Sequence, residues 1–301
     1  MSSLHTEAPN RRAFVRVKTV LPKLPFQPHA DRPHVFTERL ILRPFVPDDV
    51  QACHLLRTQP EVMKCMCIWR SLSSLLVYLF TCLSVFPSLL PWPTSIHPPT
   101  PPEKGNNNTL VIRSINLGKK GTGQGRPDRD VEETRERLAP YLPGSLGADE
   151  RYNFAICLRE TGEMIGSGGS HKFASAFGWP EIGYMLRSEY WGQGLASEFL
   201  RAMLGVWEGL PREEVELDVD PRSVVYEEGE EEGHGRGARE VLIAVTEVEN
   251  ERSMQVLRKC GFEHFTTWEE EVKEAAMGSN PSPGGNSGKF VRLPTFRYLL
   301  G

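Results

Sequence analysis

Two kinds of hydrophobic pattern divide this chain into predicted strands and helices. Alternation of apolar and polar residues, or a short run of β-branched residues, is typical of strands. These patterns predict strands at 38–45, Tyr152–Leu158, 164–170, Glu181–Leu186, 215–219, Val241–Val245 and 291–300. We expect the last of these strands to close the sheet.

Between the strands, apolar residues recur at the spacing of a helix. Pro47 and Asp49 flank Asp48, which is suited to cap a helix that buries Val50, Cys53 and Leu56. A longer helix begins at Ala196, and its apolar residues share one face: Phe199, Leu200, Met203, Leu204 and Trp207. A short helix follows Asn250 and ends before Gly261. Strands and helices in this order predict an α/β (α+β) fold.

The loop between strand Glu181–Leu186 and the helix at Ala196 contains Gly192 and Gly194. Glycines at such a junction let the backbone approach a ligand closely, and the free N–H groups of the helix start favour an anion. The same glycines also occur in tight connections that bind nothing. From the loop alone, phosphate binding and a purely structural turn are both open.

A second landmark lies after strand Val241–Val245, where Asn250 stands three residues before Ser253 at the start of a short helix. Asn and Ser favour turns and helix N-caps in any case. A structural role is therefore the alternative to a role in ligand binding.

The two landmarks together, preceded by ERLILRPFVPDD at 38–49, resemble the GNAT acyl-CoA N-acyltransferases. The likeness is greatest to the branch that contains the ribosomal-protein-alanine N-acetyltransferases. It covers three blocks in the expected order, roughly 38–64, 126–210 and 240–265. The resemblance implies a three-layer sandwich whose mixed central sheet splays apart at a CoA site.

The resemblance also implies roles for individual residues, with acetyl-CoA as co-substrate and an amine as acceptor. Ser253 would be the general acid near the sulfur, and Glu181 the base, with Glu198 and His171 as weaker candidates and water as a possible relay. Glu189 stands where the family motif prefers Gln or Arg. The residues expected to bind CoA are Tyr184, Met185, Leu186, Gly192, Gln193, Gly194, Leu195, Ala196, Ser197 and Asn250.

Residues 65–125 interrupt this pattern. The run 71–86 has no charged residue but is near the lower limit for crossing a bilayer, and low-complexity sequence follows it. In the family a second helix comes soon after the first, and 128–138 fits that helix. A membrane anchor, an insertion and a translated intron or gene-model error are all open, and we favour the last. We also expect an acidic loop at 221–239 and a polar loop at 269–289.

Residues 1–34 carry six basic and two acidic residues among several prolines. A disordered tail is the favoured interpretation, with a mitochondrial transit peptide as the alternative. The net charge of −4 and pI of about 6.1 give no reason to expect nucleic-acid binding. The cysteines lack paired CxxC spacings, so no zinc site is expected, and Cys157 and Cys260 fit buried thiols of a reducing, cytoplasmic compartment.

The sequence thus favours an N-acetyltransferase that moves acetyl from acetyl-CoA to a primary amine, either a protein N-terminus or a small amine, by direct attack in a ternary complex. The alternative is a non-catalytic CoA-binding or misassembled protein, disrupted by 65–125. The acceptor and the oligomeric state do not follow from the sequence.

Overall fold

The computed structural model describes residues 7–10, 13–64, 126–145, 148–227, 237–272 and 289–300. These ranges contain five α-helices: α1 (Val50–Arg57), α2 (Pro60–Lys64), α3 (Val131–Leu138), α4 (Leu195–Glu208) and α5 (Glu251–Lys259). They also contain ten strands: β1 (Val15–Pro22), β2 (Val35–Phe36), β3 (Leu40–Arg43), β4 (Tyr152–Leu158), β5 (Met164–Lys172), β6 (Glu181–Leu186), β7 (Arg212–Val219), β8 (Val241–Val245), β9 (Glu263–Val272) and β10 (Lys289–Leu299). The predicted mixed α/β fold is confirmed.

Eight of the described strands form one mixed sheet in the order β2-β3-β4-β5-β6-β8-β10-β9. Neighbouring strands are antiparallel except β6 and β8, which run parallel. That pair is in register only at Glu181 and Ile243. The two strands therefore separate beyond Glu181, and the sheet opens at its centre.

Helix α4 packs closely against β5 because β5 is rich in glycine. A Cβ atom added to Gly168 would lie 2.5 Å from the ring of Phe199 on α4. The buried apolar face of α4, including Phe199 and Trp207, joins Leu242 of β8 and Leu257 of α5 in the largest hydrophobic core. Burial of this face stabilises the packing of the helix on the sheet by about 25 cal/mol for each Å² of apolar surface removed from water.

The prediction that 1–34 forms a disordered tail is wrong for much of the described part. Strand β1 pairs over its full length with β7 in a second, antiparallel sheet. Its alternation buries Val17 and Leu21 against Phe177 and Trp179. Burial of one face supplies the free energy that orders this segment, and the prolines at its end do not prevent a strand from forming before them.

Pairing of β1 with β7 also explains part of the local charge imbalance. Between 213 and 240 the chain has eleven acidic and three basic residues. Two of these acids lie on β7 opposite basic residues of β1: Asp218 faces Arg16 and Glu216 faces Lys18. Arg16 Nε donates to Asp218 at 2.8 Å. The basic start and the acidic segment are therefore complementary parts of one small sheet.

The predicted interruptions are only partly within the described residues. The segment 65–125 lies outside them, as do 228–236 of the acidic loop and 273–288 of the polar loop. The polar loop is shorter than predicted, because β9 continues to Val272 and β10 begins at Lys289. Among the described residues, no helix is both long and apolar enough to cross a membrane.

Candidate active site

The opening between β6 and β8 forms a cleft of about 700 Å³. Its walls come from β6, the end of β8, the start of α4 and one face of α5, and Val62 of α2 also lines it. Beyond Glu181, β6 pairs with β5 on one edge and has no β8 partner on the other. The carbonyl of Leu186 accepts a hydrogen bond from Trp191 Nε1 at 2.7 Å. The other backbone groups on that open edge are available to a ligand that lies along the strand.

The loop predicted to bind an anion forms one end of this cleft. Gly192 and Gly194 have φ of 75° and 80°, values that a residue with a side chain adopts only with strain. Gly194 is the N-cap residue of α4, and no side chain caps the helix. The N–H groups of Leu195, Ala196 and Ser197 lack an intrahelical acceptor by the geometry of a helix start. These residues line the cleft and make its end attractive to negative charge.

Glu189 points away from the cleft and holds the loop in place. Its carboxylate accepts hydrogen bonds from Gln59 Nε2 at 2.8 Å and from Arg187 Nη2 at 2.9 Å. A hydrogen bond from its own backbone N–H and the bonds from Gln59 and Arg187 lower the pKa of Glu189 to about 2. Gln59 also accepts from the N–H of Ser188 at 2.8 Å. The residue that departs from the family motif therefore anchors the loop.

The structure confirms the N-cap role considered for the second landmark. Asn250 is the N-cap of α5, and its Oδ1 accepts from the N–H of Ser253 at 3.1 Å. Both residues also line the cleft. Ser253 Oγ lies 3.0 Å from Tyr184 Oη. Burial raises the pKa of Tyr184 well above its ordinary value, so its phenol is protonated at neutral pH.

Glu181 and His171 lie together on the wall of the cleft, where β5 meets β6. His171 Nε2 lies 3.1 Å from Glu181 Oε1, and Lys172 Nζ lies 3.7 Å from Glu181 Oε2. Burial alone would raise the pKa of Glu181, but the charge of Lys172 and the hydrogen bond with His171 outweigh it and lower the pKa. Burial lowers the pKa of His171. The carboxylate is therefore ionised at neutral pH.

The structure brings together almost all of the residues predicted from the sequence. All of the predicted catalytic and CoA-binding residues line the cleft except Gln193, whose side chain donates to the carbonyl of Glu189 at 2.9 Å. Glu198, a weaker candidate base, is not part of the lining and instead binds Thr37 and Arg39.

Two features of the cleft did not follow from the sequence. The Tyr184 hydroxyl was not expected to meet Ser253, because only the backbone of Tyr184 was assigned a role. Arg252 stacks its guanidinium 5.6 Å from the ring of Trp191, which links α5 to the glycine loop across the mouth of the cleft. Neither contact has a short-range signal in the sequence, since each joins residues more than fifty positions apart.

Comparison with known proteins shows which type of domain this part of the chain resembles. A family model described as an acetyltransferase (GNAT) domain matches residues 120–263. The matched stretch contains β5, β6, β8, α4 and α5, the elements that supply most of the cleft. The cleft therefore lies within the part of the chain that is similar to a GNAT acetyltransferase domain.

A curated relative and two solved structures are also similar. The relative, "Uncharacterized N-acetyltransferase p20" of Bacillus licheniformis, is 30% identical over 99 residues, which are 32% of this chain and 54% of that protein. The chain thus spans about half the length of the curated relative it matches. A GNAT-family acetyltransferase of Bacillus anthracis is 16% identical with a TM-score of 0.46, covering 89% of this chain and 98% of the other. Spermidine N-acetyltransferase of Vibrio cholerae, solved with CoA and spermine, is 11% identical with a TM-score of 0.46, covering 87% and 96%.

Proposed function

We propose that this protein is an N-acetyltransferase that moves an acetyl group from acetyl-CoA to a primary amine, either a protein N-terminus or a small amine, by direct attack in a ternary complex. The observation that carries the proposal is the cleft at the parting of β6 and β8, which the glycine loop closes at one end and Glu181 lines along its wall. The match of residues 120–263 to a GNAT acetyltransferase domain supports the same conclusion.

The cleft suits the extended, amide-containing part of a CoA thioester. Tyr184, Met185 and Leu186 use one edge for pairing with β5, and their other edge faces the gap. A chain with amide groups can bind to that edge as an additional strand would. The anionic end of the same molecule would then reach the α4 start, where Gly192, Gly194 and the following backbone N–H groups favour phosphate. Gln193, with its side chain turned to the loop, would contribute only its backbone.

The acceptor amine must lose a proton before or during attack, and Glu181 is suited to receive it. Its carboxylate is ionised, lines the cleft and is held by His171 and Lys172. Proton transfer to Glu181 takes place directly or through one water. The reaction forms the C–N bond of the amide and breaks the C–S bond of the thioester, so the leaving sulfur needs a proton in return.

The Ser253 and Tyr184 hydroxyls are suited to supply that proton. Ser253 Oγ lines the cleft at the start of α5 and is within hydrogen-bond distance of Tyr184 Oη. The phenol remains protonated because burial disfavours its anion. We assign Ser253 as the proton donor to the sulfur. Tyr184 is assigned as the group that orients and polarises the Ser253 hydroxyl. Asn250 fixes the start of α5 that carries Ser253.

The test is turnover with a panel of amines. Purified protein is mixed with acetyl-CoA and peptides that begin with Ala or Ser, or with a polyamine, and free thiol is measured. We expect thiol release that requires one class of amine. Glu181→Gln should lower kcat by about 10²-fold or more, the usual contribution of a positioned acid or base. Saturable CoA binding without turnover on any amine would favour the non-catalytic alternative.

A further inference from the structure

We propose that Arg39 is a positioning residue that orients the backbone amides of the glycine loop toward the polyphosphate of CoA. The proposal rests on the proposed function, since it assigns a task in the same site. Arg39 does not line the cleft. It extends from the turn that precedes β3 and contacts the loop from outside the cleft. Its effect on the ligand would pass through the peptide between Gln193 and Gly194.

The contact is a hydrogen bond from Arg39 Nη1 to the carbonyl oxygen of Gln193 at 2.8 Å. The peptide bond after Gln193 is planar, and in the trans form its C=O and N–H point in opposite directions. A carbonyl held toward Arg39 therefore directs the N–H of Gly194 to the other side. Gly194 lines the cleft, so that side faces the space for the ligand.

Because the loop contains two glycines, the orientation of the peptide between Gln193 and Gly194 is flexible unless a contact outside the loop fixes it. Gly192 and Gly194 both have positive φ, and glycine adopts several other backbone conformations at little cost. The loop alone would therefore populate peptide orientations that turn the N–H groups away from a ligand. A guanidinium that holds the Gln193 carbonyl selects one of them before the ligand arrives, which lowers the entropy lost on binding.

Arg39 is itself held rigidly by Glu198 in the first turn of α4. Arg39 Nε donates to Glu198 Oε2 at 2.7 Å, and the backbone N–H of Arg39 donates to Oε1 at 2.8 Å. Thr37 Oγ1 donates to the same Oε1 at 2.6 Å. Burial alone would raise the pKa of Glu198, but these bonds outweigh it and lower the pKa. Arg39 thus also neutralises a carboxylate that would otherwise repel an anion at the helix start.

A second polar group, the carboxylate of Glu181, lies on the wall of the same cleft. Glu181 Oε2 is buried on the cleft wall and has no hydrogen-bond partner among the described residues, with Lys172 Nζ at 3.7 Å. A buried carboxylate oxygen is costly without a donor. The glycine loop and Glu181 therefore lie on one and the same cleft.

The test compares a ligand that carries the polyphosphate with one that lacks it. Binding of CoA and of pantetheine is measured by calorimetry or ligand-observed NMR for the wild type, Arg39→Ala, Arg39→Lys and Arg159→Ala. Arg159 is the matched control. It is an exposed arginine that donates to the carbonyl of Thr37 at 2.9 Å, in the same β2–β3 turn that contains Arg39, but no hydrogen bond joins it to the glycine loop among the described residues. Thermal unfolding shows whether each variant is folded.

We expect Arg39→Ala to weaken CoA binding about tenfold, because the charged hydrogen bond that holds the Gln193 carbonyl in the binding orientation is lost, while pantetheine binding stays unchanged. Arg39→Lys, which keeps the positive charge, should regain part of the affinity, and it replaces Arg39→Ala in the test if Arg39→Ala folds poorly. Arg159→Ala should bind CoA as the wild type does. Equal loss for both ligands, or no loss for CoA, in a folded variant would overturn the role of Arg39. Failure of the wild type to bind CoA would instead overturn the proposed function, and this inference with it.

Discussion

The hydroxyl groups of Tyr184 and Ser253 lie 3.0 Å apart across the opening between β6 and α5. Tyr184 comes from the central strand and Ser253 from the first turn of the helix that follows β8. The hydrogen bond between the two hydroxyls therefore joins β6 to α5 across the cleft. It also places two adjacent proton donors where the proposed reaction releases a thiolate.

This pair leads to a prediction about coupled catalytic loss. Ser253→Ala and Tyr184→Phe should each lower kcat, with the larger effect, about 10²-fold, for Ser253→Ala. The double variant should lose little more than Ser253→Ala alone, because Tyr184 acts through Ser253. Steady-state kinetics with acetyl-CoA and the identified amine measure these changes.

Binding of CoA is the control for that experiment. Both variants should bind CoA within a few-fold of the wild type, since the polyphosphate end of the cleft is intact. Two additive losses would contradict the coupling, and unchanged kcat in Ser253→Ala would remove Ser253 from the reaction.

The position of Glu270 predicts a pH-dependent change in stability. Burial raises the pKa of Glu270 from 4.5 to about 7, with Lys172 opposing the shift. The folded state therefore binds a proton that the unfolded state releases, and stability falls as the pH rises from about 4.5 through 7. Glu270→Gln, which imitates the protonated form, should raise the thermal midpoint at pH 8 and change it little at pH 5. An equal change at both pH values would contradict this assignment.

Sequence patterns predicted the strands whose alternation or composition is clear. The bounds of β4, β6 and β8 agree with the structure, and Cys157 and Cys260 are buried free thiols as expected. Strand β1 was missed because the prolines and basic residues around it outweighed the alternation of Val15, Val17 and Leu21. Strand β9 was not predicted at all, and its acidic end was assigned to the polar loop, since a polar segment resembles a loop until its partner strand is known.

The site could be predicted only where it is local in sequence. The glycine loop and the Asn250 turn are short motifs, and their position in one cleft follows from the parallel pairing of β6 and β8. Contacts such as Arg39 with Gln193 join residues that are 154 positions apart. Such contacts depend on the packed fold, and neither spacing nor composition contains them.

The segment after 125 is tied to α1, and this predicts that the domain folds without 66–124. The N–H of Asp128 donates to the carbonyl of Arg57 at 3.1 Å, and Arg57 Nε donates to the buried Asp128 carboxylate at 2.7 Å. Arg137 of α3 contacts the same carboxylate at 3.0 Å. Deletion of 66–124 should therefore retain CoA binding and increase soluble yield.

A matched variant tests whether this network is the reason. Asp128→Asn leaves Arg57 without its buried counter-charge, whereas Arg137 keeps Glu133 at 2.9 Å. The substitution should cost about 3 kcal/mol of unfolding free energy, in the deleted and full-length chains alike. Urea unfolding measures the difference. The prediction would be contradicted if the deleted chain were insoluble, or if Asp128→Asn left its free energy of unfolding unchanged.

The central claim, that the cleft between β6 and β8 binds acetyl-CoA through the glycine loop, is tested most directly by calorimetric titration. Acetyl-CoA is titrated into the wild type, Gly194→Glu and Gly144→Glu. Gly144 is a matched control, because it also has positive φ, 75°, with no atom within 4 Å of an added Cβ, and it lies outside the cleft. We expect saturable binding that Gly194→Glu abolishes and Gly144→Glu retains. No binding to the folded wild type, or equal binding by all three proteins, would contradict it.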